Sequence, residues 1–150
     1  MQICIKQVFL SSLFSVTPTR HHLQKENLMN RVIHFELSAD DPERASKFYR
    51  DAFGWTINAW PGVEPYWLVT TGAATEPGID GAIMRRMQPG MSTVNSIDVA
   101  SVEDAARKVI AAGGAVIVPK LAVPGVGWVA YCTDTEGNTI GLFQADAVAR

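Results

Sequence analysis

From Arg31 onward the chain alternates between two hydrophobic periods, one of two residues and one near 3.6, and the whole succession occurs twice. Arg31 to Ser38 alternates as a strand, with Ile33, Phe35 and Leu37 on one face and His34, Glu36 and Ser38 on the other. Asp40-Asp41-Pro42-Glu43 then opens a helix. Acids there complement the helix dipole, and proline near the first helical position gives up an amide that has no intrahelical partner. Ala45, Phe48, Tyr49 and Ala52 recur at helical spacing, and Gly54 supplies the stop. Strand patterns follow at about 55–60, 66–71 and 80–87, parted by Pro61-Gly62 and Glu76-Pro77-Gly78.

The second copy keeps that order. Thr93 to Val99 reads as a strand and Val102 to Ala112 as a helix stopped by Gly113-Gly114. Strands are predicted at about 115–121, 127–133 and 138–143, with Pro124-Gly125 and Glu136-Gly137-Asn138 as turns. Asp41 and Ser101 precede the two helices at a step of sixty residues, and Gly81 and Gly141 are again sixty apart. Two copies of one supersecondary unit sharing a core explain such a repeat. The expected fold is α+β: two tandem β-α-β-β-β modules, about 31–88 and 92–144, forming a curved mixed sheet around a cleft. That cleft is where a small-molecule ligand belongs.

Composition narrows the class of partner. The 150 residues suit one domain, at 29–150, with 47% hydrophobic and 19% charged residues. A net charge of −2 provides no basic footprint, so no nucleic acid is expected as partner. Cys4 and Cys132 have no metal-type or redox spacing and fit a reducing, cytoplasmic compartment. Residues 1–28 do not share the later pattern. Val8 to Val16 is an apolar run without a following cleavage signal and too short to span a bilayer, so no membrane association is expected. This stretch reads as a poorly ordered or non-native extension before Met29.

His34-Phe35-Glu36-Leu37, Arg44-x-x-x-Phe48-Tyr49-x-x-x-Phe53-Gly54-Trp55 and Asp134-x-x-Gly137-Asn138 resemble the vicinal oxygen chelate superfamily, which contains glyoxalases, bleomycin-resistance proteins and extradiol dioxygenases. The resemblance covers about 31 to 144 and specifies a fold better than a reaction. In its catalytic members, it implies, an ion is held from the first and last strands of both modules. The repeat step assigns those positions to His34, Val94, Gly81 and Gly141. Only His34 is of ligand type, and a divalent ion needs three or four donors at about 2.0–2.2 Å. No cofactor is therefore expected. The alternative is a metal-dependent lyase or dioxygenase in which His34 and Glu36 contribute ligands and a partner subunit supplies the rest.

His34 and Glu36 are the candidate catalytic pair, on one face of a strand at about 7 Å spacing, able to act as a base or to orient a hydroxyl. The candidate ligand-binding set is Trp60, Trp67, Met84, Trp128 and Phe143, with Gly81 and Gly141 vacating the centre of the cleft. Trp55, Tyr66 and Tyr131 complete an aromatic complement most of which is expected in the core. The resemblance also implies a homodimer, and exposed sheet edges make self-association plausible.

Overall fold

The alternating segments form eight strands and the periodic ones two helices, in a computed structural model that describes residues 30–61 and 65–150. The order is β1 (Val32–Ala39), α1 (Pro42–Phe53), β2 (Thr56–Ala59), β3 (Tyr66–Thr70) and β4 (Gly81–Arg85). It repeats as β5 (Thr93–Asp98), α2 (Val102–Ala111), β6 (Ala115–Val123), β7 (Gly127–Thr133) and β8 (Thr139–Ala145). Segment 1–28, Cys4 and the turn residue Gly62 lie outside the described residues.

Both helices begin where the local chemistry directs. The Asp41 carboxylate accepts from the Arg44 amide at 3.0 Å, and the Ser101 hydroxyl accepts from the Asp104 amide at 3.2 Å. Gly54 ends α1 in the left-handed region, at φ +69°, while its amide still donates to Arg50 O.

All eight strands join one open mixed sheet, in the order β2-β3-β4-β1-β5-β8-β7-β6. β1 and β5 pair antiparallel at its centre, and each carries the last strand of its own module, β4 or β8, in parallel on its other side. The modules therefore fuse through their first strands, and the two outer edges belong to β2 and β6.

Helices cover one face. Ile57, Val69 and Ile83 are buried there with Phe35, Leu37 and the α1 residues Ala45 and Tyr49. Val99, Ala130, Cys132 and Leu142 are buried with Val102, Ala105, Ala106 and Val109 of α2. The other face has its own apolar cluster, including Tyr66, Met84, Val94, Val123, Val129, Tyr131 and Phe143. Ile33 packs with that second cluster, not with Phe35 and Leu37 as simple alternation predicts, because the β1–β5 register shifts between Val32 and His34. Among the described residues no helix is long and apolar enough to cross a membrane.

Candidate functional site

Two polar residues of β1 interrupt the apolar face opposite the helices. His34 and Glu36 point into it from the middle of β1 and are 5% and 2% exposed. Burying a carboxylate is costly unless it is hydrogen-bonded, and here two phenols meet it. Tyr66 of β3 donates to Glu36 Oε1 at 3.0 Å, and Tyr131 of β7 donates to Oε2 at 3.2 Å. His34 Nε2 lies 3.3 Å from the same Tyr66 hydroxyl. A phenol has one proton, so while Tyr66 gives it to Glu36, the contact with His34 requires Nε2–H to be the donor.

Burial dominates the acid–base character of this group. It holds the His34 imidazole down, to about 4, so the ring is neutral near pH 7. It pushes the Glu36 carboxyl up, against the opposing effect of the two phenol hydrogen bonds. Tyr66 and Tyr131 are raised by burial and by the adjacent Glu36 charge, so both remain proton donors.

Tyr66 and Tyr131 were legible in sequence only as two more aromatics. The available signal was that each places a hydroxyl among apolar neighbours in a strand, and a buried tyrosine hydroxyl generally needs a partner. Their convergence on one carboxylate depends on registers across several strands, which no local pattern encodes.

The two modules are not offset by sixty residues throughout. Gly81 pairs with Phe35 of β1, whereas Asn95, sixty residues after Phe35, pairs with Ile140 and not with Gly141. The second module is thus one residue shorter between its first and last strands, and a shift of one reverses the face. Gly81 consequently points to the helix side, where a Cβ would lie 2.5 Å from the Phe35 ring and carbonyl oxygen. Gly141 faces His34 and Glu36, and a Cβ there would lie 2.5 Å from Ser96 Oγ. The counterpart of Gly141 in the first module is Ala82, which pairs with Glu36.

With that register, the positions facing the centre are His34, Val94, Ala82 and Gly141, three of which lack a donor side chain. Among the described residues there is no group of three or more His, Cys, Asp or Glu side chains that could hold a metal ion. His34 and Glu36 alone fall short of the set a divalent ion requires. The donors present do not fit the superfamily's ion.

Two spaces adjoin the pair. A small cell of about 10 Å³, close to the size needed by one water molecule, is lined by His34, Glu36, Ser96, Tyr131 and Gly141, with Val129, Ala130 and Leu142. A much larger open groove, about 1060 Å³, runs along the rim where β1 and β4 begin and β3, β5 and β8 end. Its walls include Arg31, Ile33, Leu68, Thr70, the 71–80 loop, Asp98, Phe143 and Gln144, and His34 borders it as well. The loop is anchored by the Thr71 amide, which donates to Asp80 Oδ1 at 2.8 Å, and by the Thr71 hydroxyl, which donates to Ile79 O at 2.9 Å. Burial raises the Asp98 carboxyl on the opposite wall.

The open volume is therefore at the rim, while the middle of the concave face is packed by the protein's own side chains. Of the residues predicted to bind ligand, Phe143 and Gly81 border the groove and Gly141 borders the small cell. Met84 and Trp60 pack in the concave core. Trp67 and Trp128 do not reach that face: Trp67 pairs with Ile83 on the α1 side, and Trp128 packs in the α2 cluster. Trp128 is further held by its indole N–H donating to Asp146 at 2.8 Å and by Lys120 Nζ at 4.2 Å from the ring centre. Asp134-x-x-Gly137-Asn138 is a structural turn, in which the Asp134 carboxylate accepts from the amides of Glu136 and Asn138.

Residues 31–72, which cover β1, α1, β2 and β3, match the family model of the bleomycin resistance protein-like N-terminal region. CFP32, a protein named for a proposed glyoxylase activity in Mycobacterium bovis and Mycobacterium tuberculosis, is 31% identical over 118 residues. That match takes in 74% of this chain and 44% of the relative, so the chain spans less than half the length of the curated relatives it matches. The methylmalonyl-CoA epimerase of Mycobacterium tuberculosis is similar in fold, with a TM-score of 0.58 at 13% identity over 84% of this chain and 94% of the epimerase. A glyoxalase/bleomycin resistance protein/dioxygenase superfamily member from Vibrio splendidus has a TM-score of 0.56 at 15% identity, over 79% of this chain and all of its own. The tandem modules, the joined sheet and these likenesses agree: the chain belongs to the vicinal oxygen chelate superfamily.

Proposed function

We propose that the protein binds a small, partly apolar or aromatic molecule in the rim groove, without a metal ion, and works in the cytoplasm as a homodimer. The observation that carries this reading is the groove of about 1060 Å³ with His34 at its border and a buried Glu36 behind it. Its walls mix apolar surface from Ile33, Leu68 and Phe143 with Arg31, Thr70, Asp98 and Gln144, the composition expected of a site that both encloses and orients a ligand. The poor donor set supports metal independence, and the outer edges of β2 and β6, unpaired among the described residues, leave strands available for association.

Native mass spectrometry of protein purified without added metal, followed by a small-molecule screen with and without chelator, tests it. The expected result is one ligand per chain, retained in chelator and lost on filling the groove with Ala73→Trp. A requirement for stoichiometric metal would overturn metal independence, and binding unaffected by Ala73→Trp would overturn the location. Sedimentation of the same sample reads the subunit number.

A further inference from the structure

We propose that His34, Tyr66 and Glu36 form a proton relay, in which a weakly acidic hydroxyl of a bound ligand gives its proton to His34 and the negative charge leaves the buried Glu36. The step moves three protons and balances. The ligand O–H bond breaks and His34 Nδ1 takes the proton; Nε2–H passes its proton to the Tyr66 oxygen; the Tyr66 hydroxyl passes its own to Glu36 Oε1. Nothing is oxidised or reduced. His34 ends neutral in its other tautomer, Tyr66 ends neutral, Glu36 ends as the carboxylic acid, and the ligand holds the charge as its oxyanion.

The geometry already joins the three groups, at 3.3 Å from His34 to Tyr66 and 3.0 Å from Tyr66 to Glu36. Only hydrogens need move, since a phenol and an imidazole can each reverse donor and acceptor roles without displacing heavy atoms. The relay also resolves a difficulty with His34 as a simple base. An isolated buried imidazole would have to hold a full positive charge, which burial opposes strongly. Passing the second proton onward avoids the imidazolium, and burial favours the protonated form of the final acceptor. Tyr66 is a positioning residue in this scheme, and Tyr131 holds the far oxygen of Glu36.

Among the described residues, few titratable groups face Glu36. His34 shares its strand, β3 presents Tyr66, and β7 presents Tyr131. β4 presents Ala82 and Met84, β5 Val94 and Ser96, and β8 Gly141 and Phe143, none of which titrates. Around the groove that His34 borders, the charged residues among those described are Arg31, Glu76, Asp80 and Asp98.

The inference rests on the groove as ligand site only for the source of the proton, so its test uses ligand-free protein and stands apart from the binding screen. Imidazole nitrogen NMR reports the His34 tautomer, and infrared spectroscopy reports protonation of the buried carboxyl, across one acid titration. The expected result is a change from Nε2–H to Nδ1–H as Glu36 takes up its proton, with the ring still neutral. Tyr66→Phe should leave the tautomer unchanged while the carboxyl titrates, and Glu36→Gln should abolish the change. A wild-type ring that keeps one tautomer throughout, or becomes imidazolium as Glu36 protonates, would overturn the relay. So would a tautomer change that survives Tyr66→Phe.

Discussion

At the scale of single residues, the buried pair sets opposite dependences on pH. His34 titrates at about 4 in the fold against an ordinary 6.5, so its contribution to stability is complete above 6.5 and is lost as pH falls towards 4. The shift corresponds to about 3 kcal/mol. Denaturant unfolding should show that loss between neutral and mildly acidic pH, and His34→Gln should remove it. Glu36 has the reverse sign: its native pKa is raised above 4.5, so its contribution is present below that value and fades as pH rises through the native one. Glu36→Gln should therefore gain on the wild type as pH increases, and a widening deficit would refute the buried-carboxyl assignment. Two glycines give a second test. Gly141→Ala should cost about 1–3 kcal/mol by overpacking, part of it recovered in a Ser96→Ala background, because the nearest obstacle is a side-chain oxygen. Gly81→Ala should cost at least as much and resist rescue by Phe35→Ala, because the Phe35 carbonyl oxygen is equally close and is backbone.

At the scale of elements, local chemistry predicts well and register does not. The Asp41 cap and the Gly54 terminator lie within a few residues of what they act on, which is why the sequence shows both ends of α1 directly. Asp41→Ala should cost about 1 kcal/mol in thermal or denaturant unfolding, by leaving a first-turn amide without its side-chain acceptor. An unchanged midpoint would mean that water replaces the cap fully. The strands were equally legible from alternation, and so was the placement of His34 and Glu36 on one face of β1. Trp67 and Trp128 lie on the helix side of the sheet, because aromatic character alone says nothing about which side of a strand a residue occupies. Tyr66 and Tyr131 escaped for a related reason. Their meeting at Glu36 is fixed by pairings β3–β4–β1 and β7–β8–β5–β1, which accumulate over distant segments. Ile33 fell on the unexpected face through a bulge that a simple alternation rule cannot anticipate.

At the scale of the whole molecule, the two modules share more than an outline. The central β1–β5 ladder and the Tyr131–Glu36 hydrogen bond tie one half to the other. Unfolding should accordingly be a single cooperative transition, with far-ultraviolet circular dichroism and tryptophan fluorescence giving the same midpoint. Separate midpoints would show that each half is stable by itself. The one-residue difference between the halves has a further bearing on any attempt to engineer a cation cage here. Counting sixty back from Gly141 would send a new acidic side chain under α1, into the Phe35 packing. The substitution that aims at the imidazole belongs one residue later, at Ala82, so an inherited asymmetry in loop length decides which codon a designer must change.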